Sequence, residues 1–200
     1  MTDSVGVRKA EIRRTTAETD IALSLELDGP GTLTGTSGIG FFDHMLALFA
    51  RHGRMAIGLT CSGDLRVDGH HTVEDVGICL GKALAEALGE KRGIARYGVA
   101  HVPMDECLAR AVVDLSGRAH CTIEAALAIE RVGDLDVELA WEFFRALARS
   151  ARLTLHLDLL RGGNAHHAVE ACFKATARAL AQACALDPAI EGVPSTKGLL

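Results

Sequence analysis

Apolar residues recur along this chain in two distinct periods. Ile21, Leu23, Leu25 and Leu27 alternate with Ala22, Ser24 and Glu26 and run into Asp28-Gly29-Pro30-Gly31, which predicts a strand ending in a turn. Residues 42–51 carry apolar side chains at helical spacing, 55–60 reads as a strand, and 72–88 is an Ala- and Leu-rich helix with Gly89 placed to cap it. The same alternation returns later, as a strand over 108–115, a helix over 142–149, a strand over 153–159 and a long helix over 168–184.

The recurrence extends to residue identities. His70-His71-Thr72-Val73-Glu74 overlays His166-His167-Ala168-Val169-Glu170, and Ala83-Leu84-Ala85 overlays Ala179-Leu180-Ala181. Upstream, 44–51 aligns with 142–149, placing His44 over Glu142, Arg51 over Arg149 and then Arg54 over Arg152. A weaker block aligns 18–29 with 106–117, Glu18 over Glu106. Three blocks in the same order argue for a duplicated unit of about a hundred residues. The boundary falls in Gly89-Glu90-Lys91-Arg92-Gly93, giving half-domains of 1–92 and 93–200. The expected fold class is α+β, two similar half-domains packed into one globular unit.

Composition narrows the function classes. With 200 residues, 48% hydrophobic and 24% charged, the chain has the make-up of an ordinary soluble domain. No apolar run spans a bilayer, and the start, Met1-Thr2-Asp3-Ser4-Val5, does not read as a signal peptide, so a cytoplasmic protein without membrane partners is expected. A net charge of −5, dispersed Arg and Lys, and few aromatic side chains argue against nucleic acid as a partner. Six cysteines without a Cys-x-x-Cys pair read as reduced core residues.

The histidine pairs carry the chemistry. Residues four apart share a helix face, so His70 converges with Glu74, and His166 with Glu170. Adjacent histidines diverge by about a hundred degrees and suit two different ions. His44 and Glu142, from the preceding helices, bring the set to eight nitrogen or oxygen donors: His44, His70, His71, Glu74, Glu142, His166, His167 and Glu170. A set without thiolates favours Mn, Fe, Co or Zn. Gly35 to Gly40 reads as a bend, Asp105-Glu106 as a solvated turn, and His101, His120 and His156 as structural. The tail Pro194-Ser195-Thr196-Lys197-Gly198 suits a phosphate.

Four motifs together carry a family resemblance: Phe41-Phe42-Asp43-His44-Met45-Leu46, Asp68-Gly69-His70-His71-Thr72-Val73-Glu74-Asp75, Gly163-Asn164-Ala165-His166-His167-Ala168-Val169-Glu170 and Pro194-Ser195-Thr196-Lys197-Gly198. The chain resembles the imidazoleglycerol-phosphate dehydratases of histidine biosynthesis over nearly its whole length, in their monofunctional form, with no phosphatase domain preceding it.

The resemblance implies half-domains that each carry a four-stranded sheet with two helices on one face, as in one domain of a small-subunit ribosomal protein. It implies two Mn2+ ions per active site, and a hollow 24-mer with metal sites at subunit interfaces. It implies Glu18 as the acid/base carboxylate, and His52, Arg96, Arg118, Lys174, Ser195 and Lys197, with Glu18, as substrate contacts, largely to phosphate. Glu142 departs from the family pattern, in which many relatives have His. The reaction implied is loss of water from D-erythro-imidazole glycerol phosphate to give imidazole acetol phosphate, with the substrate ring serving as an electron sink in the form of a metal-bound imidazolate. A two-metal hydrolase and a non-enzymatic metal-binding shell protein are the competing readings.

Overall fold

The computed structural model describes residues 7–200; the amino-terminal stretch read above as lacking a signal peptide lies outside them. The elements are β1 (Lys9–Thr15), β2 (Thr19–Glu26), β3 (Thr32–Thr36), α1 (Gly40–Gly53), β4 (Ala56–Gly63) and α2 (His70–Leu88), then β5 (Tyr97–Met104), β6 (Cys107–Asp114), β7 (His120–Glu124), β8 (Arg131–Val132), β9 (Leu135–Asp136), α3 (Val137–Ala151), β10 (Thr154–Arg161) and α4 (Ala165–Cys184). Two four-stranded sheets form, in the orders β1-β2-β4-β3 and β5-β6-β10-β7.

The two sheets are built alike. In each, the first two strands are antiparallel, the second pairs antiparallel with the strand after the first helix, and the third pairs with that strand in parallel. Leu23 faces Leu59 in the first sheet, and Ala111 faces Leu157 in the second. Thr32 faces Ala56, and His120 faces Thr154. This is the register that the sequence blocks give. Both α1 and α3 end on an arginine in the left-handed region, Arg54 at φ 55° and Arg152 at φ 53°. The halves differ by the β8–β9 hairpin, inserted before α3, and by a bulge near the end of β10.

Each sheet buries one face, as the strict alternation of β2 requires. Helix α2 lies on β1 and β2, and α4 on β5 and β6; α2 packs against α3 and α1 against α4, so the helices form a double layer between the sheets. One core joins the halves. Phe42, Phe49, Phe143, Phe144 and Phe173 are fully buried, with Phe143 stacked on Phe173 at 5.2 Å and in edge contact with Phe42 at 5.4 Å. Close approach of α2 to α3 depends on Gly77 and Gly81: a Cβ at Gly81 would lie 2.6 Å from the Leu147 carbonyl oxygen, and one at Gly77 2.8 Å from that of Phe143. All six cysteines are free, four of them buried, and burial raises the Cys172 and Cys184 thiols to about 12. Among the described residues, no helix is long and apolar enough to cross a membrane.

Candidate metal and substrate sites

Both histidine pairs sit on the first turn of a helix, where a preceding side chain collects free backbone donors. Asp68 Oδ1 accepts the His70 N–H at 2.8 Å; Asn164, the N-cap of α4, accepts the His166 and His167 N–H groups at 2.9 and 3.4 Å. The rings within each pair lie 6.1 and 6.2 Å apart and nearly perpendicular. As expected from helix geometry, the first and second histidines face different partners.

The first histidine of the second pair belongs to a three-donor cluster. His44 on α1 and His166 and Glu170 on α4 bring one ligand atom each within 4.8 Å of one another. His166 Nε2 is 3.2 Å and His44 Nε2 3.4 Å from Glu170 Oε2. Two imidazole nitrogens and a carboxylate oxygen, with no sulfur, suit a divalent ion such as Mn2+. Phe41 packs edge-on to the His166 ring at 5.0 Å. Burial opposes ionisation of Glu170, but the Lys174 ammonium at 2.5 Å and the two histidines outweigh it and hold the carboxyl below its ordinary range. Lys174, expected to meet substrate, is thus engaged by Glu170 and also donates to Met104 Sδ. His52 shares this region; burial, with the Lys174 and Arg178 charges, lowers its pKa.

The matching group around the first histidine pair is looser. His70 Nε2 stands 3.9 Å from Glu74 Oε2. Glu74 also contacts Arg149 at 3.4 Å, and the Glu142 carboxylate is paired with Arg145 at 2.6 Å. Among the described residues, Glu142 belongs to no three-donor group.

The second histidines each face carboxylates. His71 Nδ1 lies 3.0 Å from Asp64 Oδ2, while its Nε2 lies 3.9 Å from Glu18 Oε1. The hydrogen bond to Asp64 raises the His71 pKa, with smaller help from Glu18. His167 Nδ1 lies 3.1 Å from Glu106 Oε2 and 3.9 Å from Asp105 Oδ2. Glu106 is thus exposed in its turn, as expected, but it is also bonded. It accepts the Asn164 N–H at 2.6 Å, and that bond, with its own N–H and His167, lowers its carboxyl to about 2. The overlay of Glu18 on Glu106 was the available signal; Asp64, outside the repeated blocks, had none.

Four of the expected substrate residues meet elsewhere. Arg96, Arg118, Ser195 and Lys197 line one open cleft of about 910 Å³ together with Arg152. Arg96, at φ 70°, is held by Asp114 at 2.7 and 3.2 Å and donates to the Pro194 carbonyl at 2.8 Å, which ties the tail to the second sheet. The cationic groups and tail amides of this cleft suit a phosphate.

The family model for imidazoleglycerol-phosphate dehydratase matches residues 37–180. The chain belongs to the imidazoleglycerol-phosphate dehydratase family. It is 57% identical over 195 residues to the imidazoleglycerol-phosphate dehydratase of Heliobacterium modesticaldum, covering 97% of this chain and 100% of that one. Against the Salinibacter ruber enzyme it is 55% identical over 199 residues, with 100% and 98% covered. The crystal structure of the Staphylococcus aureus dehydratase superposes with a TM-score of 0.81 at 43% identity, covering 89% of this chain and 99% of that one. That of Pyrococcus furiosus gives 0.80 at 39%, with 94% and 100% covered. These dehydratases share the architecture of two four-stranded sheets with their helices.

Proposed function

We propose that this hydro-lyase of histidine biosynthesis removes water from D-erythro-imidazole glycerol phosphate to give imidazole acetol phosphate, using two Mn2+ ions. The observation that carries the reading is the division of labour within each His-His-x-x-Glu segment. The first histidine turns to the glutamate one turn on, as His166 does to Glu170, and the second turns away to other carboxylates. Two separate ions follow naturally from that divergence.

The chemistry requires a proton to leave a carbon that has no neighbouring carbonyl, so the substrate's ring must absorb the electrons. Bound divalent ions would supply positive charge that favours the ring in its anionic form. His44 of the first half-domain, with His166 and Glu170 of the second, would hold one ion, and His70 and Glu74 of the first, with Glu142 of the second after release of Arg145, the other. His71 and His167 would complete the sets across subunit interfaces. Glu18, half exposed and 3.9 Å from the His71 Nε2, would carry a proton between the reacting carbon and the departing hydroxyl. Arg96, Arg118, Ser195 and Lys197 would bind the phosphate and fix the orientation of the glycerol chain. Within one chain these three groups are separate, which supports active sites completed by neighbouring subunits in a homo-oligomer, a 24-mer by family resemblance.

The test is formation of imidazole acetol phosphate by the purified, metal-stripped protein on addition of Mn2+. Product that requires Mn2+ supports the reading. Hydrolysis of simple phosphate esters in its place would favour a two-metal hydrolase, and Mn2+ binding without either reaction a shell protein.

A further inference from the structure

We propose that Asp64 and Glu106 are positioning residues that fix the tautomer of His71 and His167, holding the proton on Nδ1 so that Nε2 is free for a metal ion. The inference rests on the two-metal reading above and adds to it a pair of carboxylates that act through the far ring nitrogen, Nδ1.

The chemistry of the contacts sets the tautomer. A carboxylate can only accept a hydrogen bond, so a ring nitrogen facing one carries the proton, and in the neutral ring the lone pair is then on the other nitrogen. Asp64 lies 3.0 and 3.2 Å from His71 Nδ1, and Glu106 lies 3.1 Å from His167 Nδ1. Both rings therefore direct the Nε2 lone pair away from the carboxylate. Such partners fix ring orientation and raise ligand basicity at metal sites.

The two units reach this end from different positions of the repeat. Asp64 follows β4, and its backbone N–H is tied to the Glu18 carbonyl at 3.1 Å. The end of β10 in the second unit has Gly162-Gly163 instead, and no side chain can do the same. There Glu106, from the turn between β5 and β6, takes over. The space it uses exists because residue 163 is glycine: a Cβ at Gly163 would collide with the Glu106 side chain. The counterpart of Glu106 in the first unit is Glu18. With Asp64 already on Nδ1, Glu18 stands on the Nε2 side of its histidine, at 3.9 Å. The exchange of one carboxylate position between the halves is what leaves Glu18 unattached and available for proton transfer.

Substitutions at Glu106 separate tautomer control from simple support. In Glu106→Gln the amide oxygen stays on the Asn164 N–H, which turns the NH2 group toward His167 Nδ1. That group can only donate, so the ring must place its proton on Nε2, the metal-binding nitrogen. In Glu106→Ala a water can accept from Nδ1 and the ring keeps its choice. Mn2+ titration of the full chain, read by the electron paramagnetic resonance of free ion, should show a loss of about ten- to hundredfold in affinity for Glu106→Gln. The loss for Glu106→Ala should be smaller. If the role is only to brace the Gly163-Asn164 turn, the order reverses, with Ala worse than Gln; that order, or parent-like binding by Gln, overturns the proposal. Absence of Mn2+ binding by the parent itself overturns the two-metal reading, and the proposal with it. Should Glu106→Gln not fold, the nitrogen-15 shifts of the histidine rings in the chelated parent at alkaline pH decide: His71 and His167 should both be protonated on Nδ1, and protonation on Nε2 in either overturns it.

Discussion

Glu18 and Glu106 each stand one residue before an equivalent strand, β2 and β6, yet only Glu106 is bonded to a ring Nδ1. Two copies of one position thus meet different ring nitrogens. Glu18→Gln should lower kcat by about 10² to 10⁴, the range for loss of a positioned acid or base, while Mn2+ affinity changes far less. Parallel measurement of turnover and Mn2+ binding checks this; equal losses in both would make Glu18 a ligand instead.

Glu142 aligns with His44, and its carboxylate rests on Arg145. Glu142→Gln keeps the size and removes the charge. It should weaken Mn2+ binding by at least the ten- to hundredfold typical of losing a ligand's supporting partner. Glu142→His should restore much of the binding. Parent-like affinity and turnover in Glu142→Gln would show that the Arg145 pair is its whole role, leaving the fourth donor of that unit to be found, with His156 next to test.

On the function proposed above, the separate donor groups of one chain are completed by neighbouring copies. Removal of metal should therefore shrink the particle in solution, as measured by light scattering after size-exclusion chromatography, and Mn2+ should restore it. Chelated protein that keeps both its size and its activity would exclude metal-dependent assembly.

The hairpin insertion of the second unit reaches back to the first. Asp134 accepts the N–H groups of Gly40 and Phe41 at 2.6 and 2.8 Å and so caps α1, four residues ahead of His44. The Phe41 N–H, and then that of Gly40, hold the Asp134 carboxyl below its ordinary range against a smaller opposing effect of burial. A carboxyl lowered in the folded state stabilises the fold above its unfolded pKa, and that contribution fades as pH falls through the lower folded value. Asp134→Asn should thus reduce the loss of thermal stability between about pH 5 and pH 2. An unchanged pH profile of Tm would exclude this role.

Gly81 lies where α2 meets the backbone of α3, with Leu147 O, Ser150 and Ala151 all within reach of an added Cβ. Gly81→Val should destabilise the fold by about 1–3 kcal/mol through overpacking, although valine is a core residue by character. Urea denaturation of the two proteins measures it, and an unchanged midpoint would mean that the helices separate without cost.

The sequence by itself determined the duplication, the class of fold and the candidate ligand residues. Central strands β2, β4, β6 and β10 and all four helices are legible because each buries a continuous apolar face, whose period survives in the residue order. The edge strands β1, β3, β5 and β7 escaped it. Lys9-Ala10-Glu11-Ile12-Arg13-Arg14-Thr15 is mostly charged, Thr32-Leu33-Thr34-Gly35-Thr36 is short and largely exposed, and β5 contains Gly98 and Pro103. Such strands offer few large apolar side chains to alternate with polar ones, so their pattern in the sequence is weak even where, as in β5, one face is buried. The histidine pairs were legible because the 3.6-residue period alone separates adjacent rings. Their partners were not. Asp64 reaches His71, and Glu106 reaches His167, only after strand ends and helix starts are brought together, and whether a carboxylate there is solvated or bonded is a matter of which glycine leaves room for it.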